Sequence, residues 1–273
     1  MKILDFAIQT AEKAGRLILK QEKEELQIEE KTNNNDLVTN VDKASEALII
    51  KEIKKEYPSH AILAEESANL ENQTKEYAKA KYIWIIDPID GTTNFAHGLP
   101  LYAVSIGIFK IKQIKSSKNY DYLAGELIAG VVHAPRLKET FSAYKDKGAF
   151  LNGEKIHVSK RKKLRDCLTV TGFPCTNRER NLPYFQTMLS ECRAIRRLGA
   201  ASLDLCYIAC GRFDGYWEFG LKPWDVAAGS LIIKEAGGRV TDSNNETLDL
   251  FGQDILATNE LVHKEIINKF KKL

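Results

Sequence analysis

The chain has 273 residues, 44% hydrophobic and 28% charged, a composition that suits one large globular domain or two small ones. Its 40 basic and 37 acidic residues leave a formal net charge of +3, too balanced to predict a nucleic-acid binder. No apolar run approaches the roughly 20 residues that span a bilayer, Met1 to Lys20 is amphipathic with acids and unlike a signal peptide, and five cysteines without a CxxC pair fit a reducing cytosol.

Apolar positions at Leu4, Ala7, Ile8, Ala11, Ala14, Leu17 and Ile18 predict a first helix over residues 4–21. A second is expected from Lys43 to Glu56, ended by Tyr57-Pro58. Ala61–Ala64 and Tyr82–Ile86 read as short strands, the latter apolar throughout, as a strand buried on both faces would be. Tyr102–Lys112 and Leu123–His133 are strand-like, with Gln113–Tyr122 as a hairpin loop between them. Thr140–Tyr144 and an Asn152-Gly153 turn continue the β-rich middle. Helices follow at 181–191 and 201–211, with Cys206 and Cys210 as core packing, then a strand near 213–219 and a helix over Trp224–Ala236. Lys160–Lys163 reads as a solvated loop. No internal repeat or linker divides the chain, so one domain over 1–273 is expected. Helices mixed with an antiparallel-leaning sheet give α+β, or layered α/β, and not a doubly wound fold.

The sharpest local feature is Trp84-Ile85-Ile86-Asp87-Pro88-Ile89-Asp90-Gly91-Thr92-Thr93-Asn94-Phe95. A buried strand is expected to end at Asp87, because Pro88 forbids its regular continuation. Two carboxylates and an intervening backbone carbonyl can converge there on hard cations, which prefer oxygen. Gly91-Thr92-Thr93 would offer backbone N–H groups at a helix start, a cradle for phosphate. The same residues also fit a turn plus an N-cap. Glu65-Glu66 follows the strand Ala61–Ala64, and two adjacent acids are not expected to point to one place. Asp225, after Pro223-Trp224, sits where a helix N-cap would, and Ala227, Ala228 and Gly229 let that helix pack close to another backbone. His60, His97, His133, His157 and His263 form no HExxH pair, which argues against zinc. Neither GxSxG, GxxxxGK[ST] nor GxGxxG occurs.

Asp87–Phe95 and Trp224–Gly229, the latter running on to Glu235-Ala236-Gly237-Gly238, resemble the two signatures of the inositol monophosphatase family. Lys31, Asp36-Leu37-Val38-Thr39, Asp42 and Ile62–Ser67 resemble its upstream blocks. Gly148–Gly153 and Arg196–Ala201 resemble its downstream ones, in the right order over nearly the whole chain. The resemblance implies a layered α/β/α/β/α sandwich, usually dimeric, magnesium-dependent and often lithium-inhibited. It implies two or three Mg²⁺ per site, ligated by Glu65, Asp87, the Ile89 carbonyl, Asp90 and Asp225. Thr92, paired with Glu65, would orient the attacking water, with Glu66 close behind and phosphate resting on Gly91–Thr93. The organic part of the substrate would meet Asp90, Arg196, Gly199, Ala200, Ala201, Glu218 and Asp225, while Lys31 and Asp42 supply supporting charges. Ala64 stands where the family more often has Gly, and Lys222-Pro223 resembles its bacterial branch.

In-line attack by water is expected, since no covalent nucleophile motif is visible. Thr93-Asn94 stands where nucleotide-bisphosphate phosphatases usually carry Lys-Glu. Inositol 1-phosphate, or a related small polyol or sugar phosphate, is therefore the expected substrate of a cytoplasmic homodimer. Fructose-1,6-bisphosphatase, histidinol-phosphatase and 3′(2′),5′-bisphosphate nucleotidase activities are the alternatives on the same scaffold. A regulatory protein that contacts RNA or transcription machinery is the alternative of another class. None of Glu65, Asp87, Asp90 and Asp225 is replaced, which favours catalysis.

Overall fold

The computed structural model describes residues 2–31, 37–68, 77, 79–116, 121–252 and 254–273. Helix α1 (Lys2–Gln21) opens the chain, followed by β1 (Ile28–Glu30), β2 (Leu37–Thr39) and α2 (Asn40–Glu56). Next come β3 (Ala61–Ala64), β4 (Tyr82–Asp90), the one-turn helix α3 (Thr92–Ala96), β5 (Ala103–Ser116) and β6 (Asp121–Ala134). β7 (Glu139–Tyr144), β8 (Ala149–Leu151), β9 (Glu154–Ile156), β10 (Leu168–Thr171), α4 (Leu182–Glu191), β11 (Ala194–Arg196) and α5 (Ala201–Ala209) continue it. β12 (Gly215–Phe219), α6 (Pro223–Glu235), β13 (Arg239–Thr241), β14 (Asp254–Thr258) and α7 (His263–Phe270) complete it.

β3 to β9 form a seven-stranded sheet in sequence order, antiparallel except for the parallel pair β3–β4. A five-stranded mixed sheet runs β11-β10-β12-β14-β13. Alternation along β4 shows how the layers stack. Trp84 and Ile86 pack with Ala11, Ile18 and Ile49 of α1 and α2, whereas Ile83 and Ile85 pack with Trp224 and Ala227 of α6. Both faces are thus covered, which is why the part of the strand from Tyr82 to Ile86 reads as an unbroken apolar run. The inner helices α5 and α6 bury Leu203, Ile232 and Ile233 against Phe141 of the large sheet and against Val170 and Tyr216 of the small one. On the far side of the small sheet, Trp217, Phe219 and Leu256 meet Met188 of α4 and Ile266 and Phe270 of α7. The order of layers is therefore α/β/α/β/α, the layered α+β architecture expected from the sequence.

Close approach between layers depends on missing side chains. A Cβ on Gly107 of β5 would stand 2.7 Å from the Ala227 Cβ, and one on Gly229 would stand 2.6 Å from the Leu205 Cβ. The small residues that open α6 thus let it lie down on the large sheet and on α5 at once. Among the described residues no helix is long and apolar enough to cross a membrane.

Several boundaries differ from those the sequence predicts. α2 starts at Asn40 and not Lys43, because Thr39 and Asp42 cap each other's backbone N–H groups in a capping box. β4 does not end at Asp87. It runs through Pro88 to Asp90, and the ladder to β5 absorbs the missing N–H by shifting register between Asp87 and Asp90. The β5–β6 ladder continues to the pair Ser116–Asp121, so strand pairing takes up both ends of the stretch Gln113–Tyr122 expected as a loop, and 117–120 lie outside the described residues. Ladder bonds are made by the backbone, so polar side chains do not end them. Asp36 also lies outside the described residues. Ala64 lies in strand β3 and is not among the residues with positive φ, so its backbone needs no glycine.

Candidate active site

The register shift at Pro88 organises the site. Before it, Asp87 pairs with Ser105 of β5, and after it Asp90 pairs with Ala103. The Ser105 hydroxyl donates to the Trp224 carbonyl at 3.2 Å, which fixes the first turn of α6 beside Asp87. Asp225 lies in that turn. It is not the N-cap, since Lys222 holds that position and Asp225 is the third helical residue, whose Oδ2 accepts the Lys222 N–H at 2.7 Å. The Pro at the first helical position moves the helix start back from the place the sequence suggested.

Asp90 reaches the other inner helix. It accepts the Ala201 N–H at 3.2 Å, the Ser202 N–H at 2.6 Å and the Ser202 hydroxyl at 2.5 Å, so its carboxylate closes the N-terminus of α5. Gly91, at φ +91, turns the chain from β4 into α3. A Cβ there would sit 2.9 Å from the Leu101 carbonyl oxygen. Thr92 and Thr93 follow in the first turn of α3, where backbone N–H groups have no intrahelical acceptor. The Asn94 amide donates to the Leu101 and Leu198 carbonyls at 2.7 and 2.8 Å, pinning α3 to the segment before Gly199.

Glu65, Asp87, Ile89, Asp90, Gly91, Thr92, Thr93, Gly199, Ala200, Ala201, Glu218 and Asp225 all line one cleft of about 200 Å³. The acids there act on one another's titration. Burial pushes Asp87 well above the usual carboxylate range, and Glu65, Asp90 and Asp225 push it further. Asp225 is raised by burial, then by Asp90 and Glu65. Asp90 is also raised by burial, against the donors of Ser202 and Ala201. Burial raises Glu65 too, against the Lys31 ammonium. The Glu65 and Asp87 carboxyls are near enough to shift each other's titration. Glu218 is held up to about 7 by burial, with Tyr216 and Arg197 opposing.

Lys31 donates to Glu65 at 2.8 Å and to Glu66 at 2.7 Å. The two neighbouring acids therefore do meet at one point, an ammonium, contrary to the expectation that they would diverge. Burial works against that ammonium, but the two carboxylates outweigh it and hold its pKa above the ordinary lysine value. Glu66 is pushed to about 7 by burial and by Glu65, and its N–H is fixed by Glu46 at 2.7 Å. The Thr92 hydroxyl lies 2.8 Å from Asp42 Oδ1 and 2.9 Å from the Ile89 carbonyl oxygen. Its carboxylate partner is thus Asp42, brought there by the capped start of α2, whereas Glu65 is paired with Lys31.

Arg196 is exposed, bonds the Ile195 carbonyl at 3.0 Å and does not line the cleft. Its neighbour Arg197 does, together with Gly172, Phe173, Pro174 and Cys175. Arg197 lies just past the end of β11 (Ala194–Arg196), where the chain leaves the sheet, so strand periodicity gives no sign of which arginine reaches the cleft. Ser202 and Tyr216 were also missed. Ser202 directly follows the Arg196–Ala201 block, and Tyr216 stands two residues before Glu218 on one strand face.

Four carboxylates, Asp87 and Asp90 buried and Glu65 and Asp225 half-buried, with one ammonium among them carry an excess of negative charge that such a site does not tolerate unaided. Among the described residues no group of three or more His, Cys, Asp or Glu side chains is gathered tightly enough to hold a metal ion as it stands. The donor set is nevertheless all oxygen and multiply acidic, the chemistry suited to a hard divalent cation.

A model of the inositol monophosphatase family matches residues 1–273. The Nus factor SuhB of Pasteurella multocida is 41% identical over 98% of this chain and 96% of its own length. An inositol monophosphatase from Anabaena (Nostoc) superposes with a TM-score of 0.83 at 37% identity, covering 100% of this chain and 96% of that one. The inositol-monophosphate-bound SaIMPase-II superposes at 0.79 and 28% identity, covering 100% and 94%. The chain belongs to the inositol monophosphatase family and has its phosphatase fold.

Proposed function

We propose that the protein is a magnesium-dependent phosphatase of small polyol or sugar phosphate monoesters, with inositol 1-phosphate the first substrate to test. The observation that carries this reading is the convergence of Glu65, Asp87, Asp90 and Asp225 on one cleft beside the Gly91–Thr93 turn. Glu65, Asp87, the Ile89 carbonyl, Asp90 and Asp225 would hold the magnesium. When bound, it supplies the positive charge that polarises a phosphoryl group and acidifies water.

The chain's own residues do the rest. Backbone N–H groups of Gly91 to Thr93 receive the phosphate oxygens at the start of α3. The Thr92 hydroxyl, fixed by Asp42, is the group placed to orient the attacking water. Lys31 balances Glu65 and keeps Glu66 behind it. Asp90 serves two purposes, since its anchoring to Ala201 and Ser202 holds the Gly199–Ala201 segment against the organic side of the cleft. Glu218 and Arg197 face that side and meet the alcohol of the ester.

The test is phosphate release by the pure protein, with and without magnesium. The panel is inositol phosphates, fructose 1,6-bisphosphate, histidinol phosphate and 3′-phosphoadenosine 5′-phosphate. Magnesium-dependent turnover of inositol 1-phosphate above the others is expected, and no release from any of them would refute the reading. We carry the homodimer and the cytoplasmic location as parts of the same proposal, the former to be checked by light scattering. The name of the Pasteurella relative, a Nus factor, is the observation behind a second reading, a regulatory role in contact with RNA or transcription machinery. Intact acids in the cleft favour catalysis retained beside any such role.

A further inference from the structure

Glu218 occupies a space that exists only because residue 172 lacks a side chain. Parallel pairing sets Thr171 of β10 beside Trp217 of β12, so Gly172 emerges next to Glu218. A Cβ on Gly172 would lie 2.0 Å from Glu218 Oε2 and 2.1 Å from its Cδ and Oε1. No rotation of a glutamate could clear all three contacts while leaving the carboxylate where it is. The Gly172 backbone cannot yield either. Buried Asn181 donates to the Gly172 carbonyl at 2.6 Å and to the Thr171 hydroxyl at 2.9 Å, while accepting Trp217 Nε1 at 2.7 Å.

The second restraint comes from the same strand. Tyr216 is fully buried, and its hydroxyl donates to Glu218 Oε2 at 2.6 Å. Oε1 has no hydrogen-bond donor among the described residues, and Glu218 lines the cleft. One oxygen is thus spent on holding the carboxylate in place, and the other presents lone pairs to whatever enters. A fixed carboxylate oxygen suits a hydroxyl donor. It repels a second phosphate, although Arg197 across the cleft moderates the charge.

We infer that Gly172 and Tyr216 are positioning residues for Glu218, the missing Cβ leaving room for its carboxylate and the phenol holding one of its oxygens so that the other faces the alcohol side of the cleft. This inference rests on the phosphatase reading above. Its measurement compares Tyr216→Phe and Gly172→Ala with the wild type on inositol 1-phosphate and on p-nitrophenyl phosphate, whose leaving group has no free hydroxyl, at saturating magnesium.

For Tyr216→Phe, kcat/KM for inositol 1-phosphate should fall about tenfold relative to that for p-nitrophenyl phosphate, with most of the loss in KM. Gly172→Ala should shift the same ratio further, and thermal melting reports whether it folds. Tyr216→Phe keeps the ring and so keeps the test alive if it does not. A ratio unchanged in Tyr216→Phe, or equal losses on both esters, overturns the inference. A wild type that releases phosphate from both esters without preferring the polyol leaves the phosphatase standing and removes the inference. A wild type that releases phosphate from neither removes the proposed function and the inference with it.

Discussion

Replacing Asp90 by Asn tests the site at the residue where fold and chemistry meet. Its carboxylate accepts three hydrogen bonds, from Ala201 N, Ser202 N and the Ser202 hydroxyl, at 3.2, 2.6 and 2.5 Å. An Asn amide keeps one acceptor oxygen and turns an NH₂ toward a donor, so one side of this arrangement is lost. A hydrogen bond to a charged group contributes about 1.5–3 kcal/mol. Against that loss, the substitution removes one of four crowded carboxylates and relieves the repulsion that Asp90 exerts on Asp87 and Asp225. The two effects oppose each other, and the net change in stability should stay within about 2 kcal/mol. The rate has no such compensation. If Asp90 serves both cation and substrate, turnover should fall at least about a thousandfold, or roughly 4 kcal/mol of transition-state stabilisation. Phosphate release at saturating magnesium and thermal melting, measured on one preparation, separate the two quantities. Ser202→Ala is the control, since it removes only the hydroxyl contact and should cost less than about tenfold in rate. An Asp90→Asn protein that keeps more than about a tenth of the wild-type rate would refute the metal assignment.

Thr92→Ala should lower kcat strongly with KM nearly unchanged, and Thr92→Ser should restore most of the rate, because a water-orienting hydroxyl acts in the transition state; a collapse of magnesium affinity by calorimetry would make Thr92 a ligand support instead. Lithium should inhibit with an uncompetitive or mixed pattern, since the proposed all-oxygen donor set accepts a small hard cation of half the charge; equal inhibition by Na⁺ at matched ionic strength would reduce the effect to screening. Without metal, stability should fall as pH rises. Glu66 and Glu218 are held up to about 7 from an ordinary 4.5, so the native state binds more protons than the unfolded chain between those values, and each group's penalty is fully developed above the folded pKa. Magnesium should flatten that slope, because its positive charge in the cleft favours the ionised form of both neighbours. Melting curves from about pH 5 to about pH 8, with magnesium or with chelator, check it, and parallel slopes would count against a cation in the cleft.

The sequence by itself determined the elements whose periodicity is long and the acids whose spacing is local. α1 announced itself through apolar residues at helical intervals, and the first half of β4 through the apolar run Tyr82–Ile86, because burial on one face or on two leaves those marks directly in the order of residues. Asp87, Asp90 and Gly91 lie within one turn of chain, so their company could be read without a fold, and the family resemblance supplied the partners further away. Other features depended on contacts between residues far apart in the chain. Thr92 meets Asp42 across 50 positions and Lys31 meets Glu65 across 34, and nothing in either neighbourhood specifies the other. Arg196 ends β11 and Arg197 lies just beyond it, so which of the two reaches the cleft depends on where the chain goes after the strand, and composition does not say. Gly172 shows the difference most clearly. Nothing along the chain singles it out, but in the folded protein the missing Cβ is the volume that the Glu218 carboxylate fills, and the packing of β10 beside β12 created that volume.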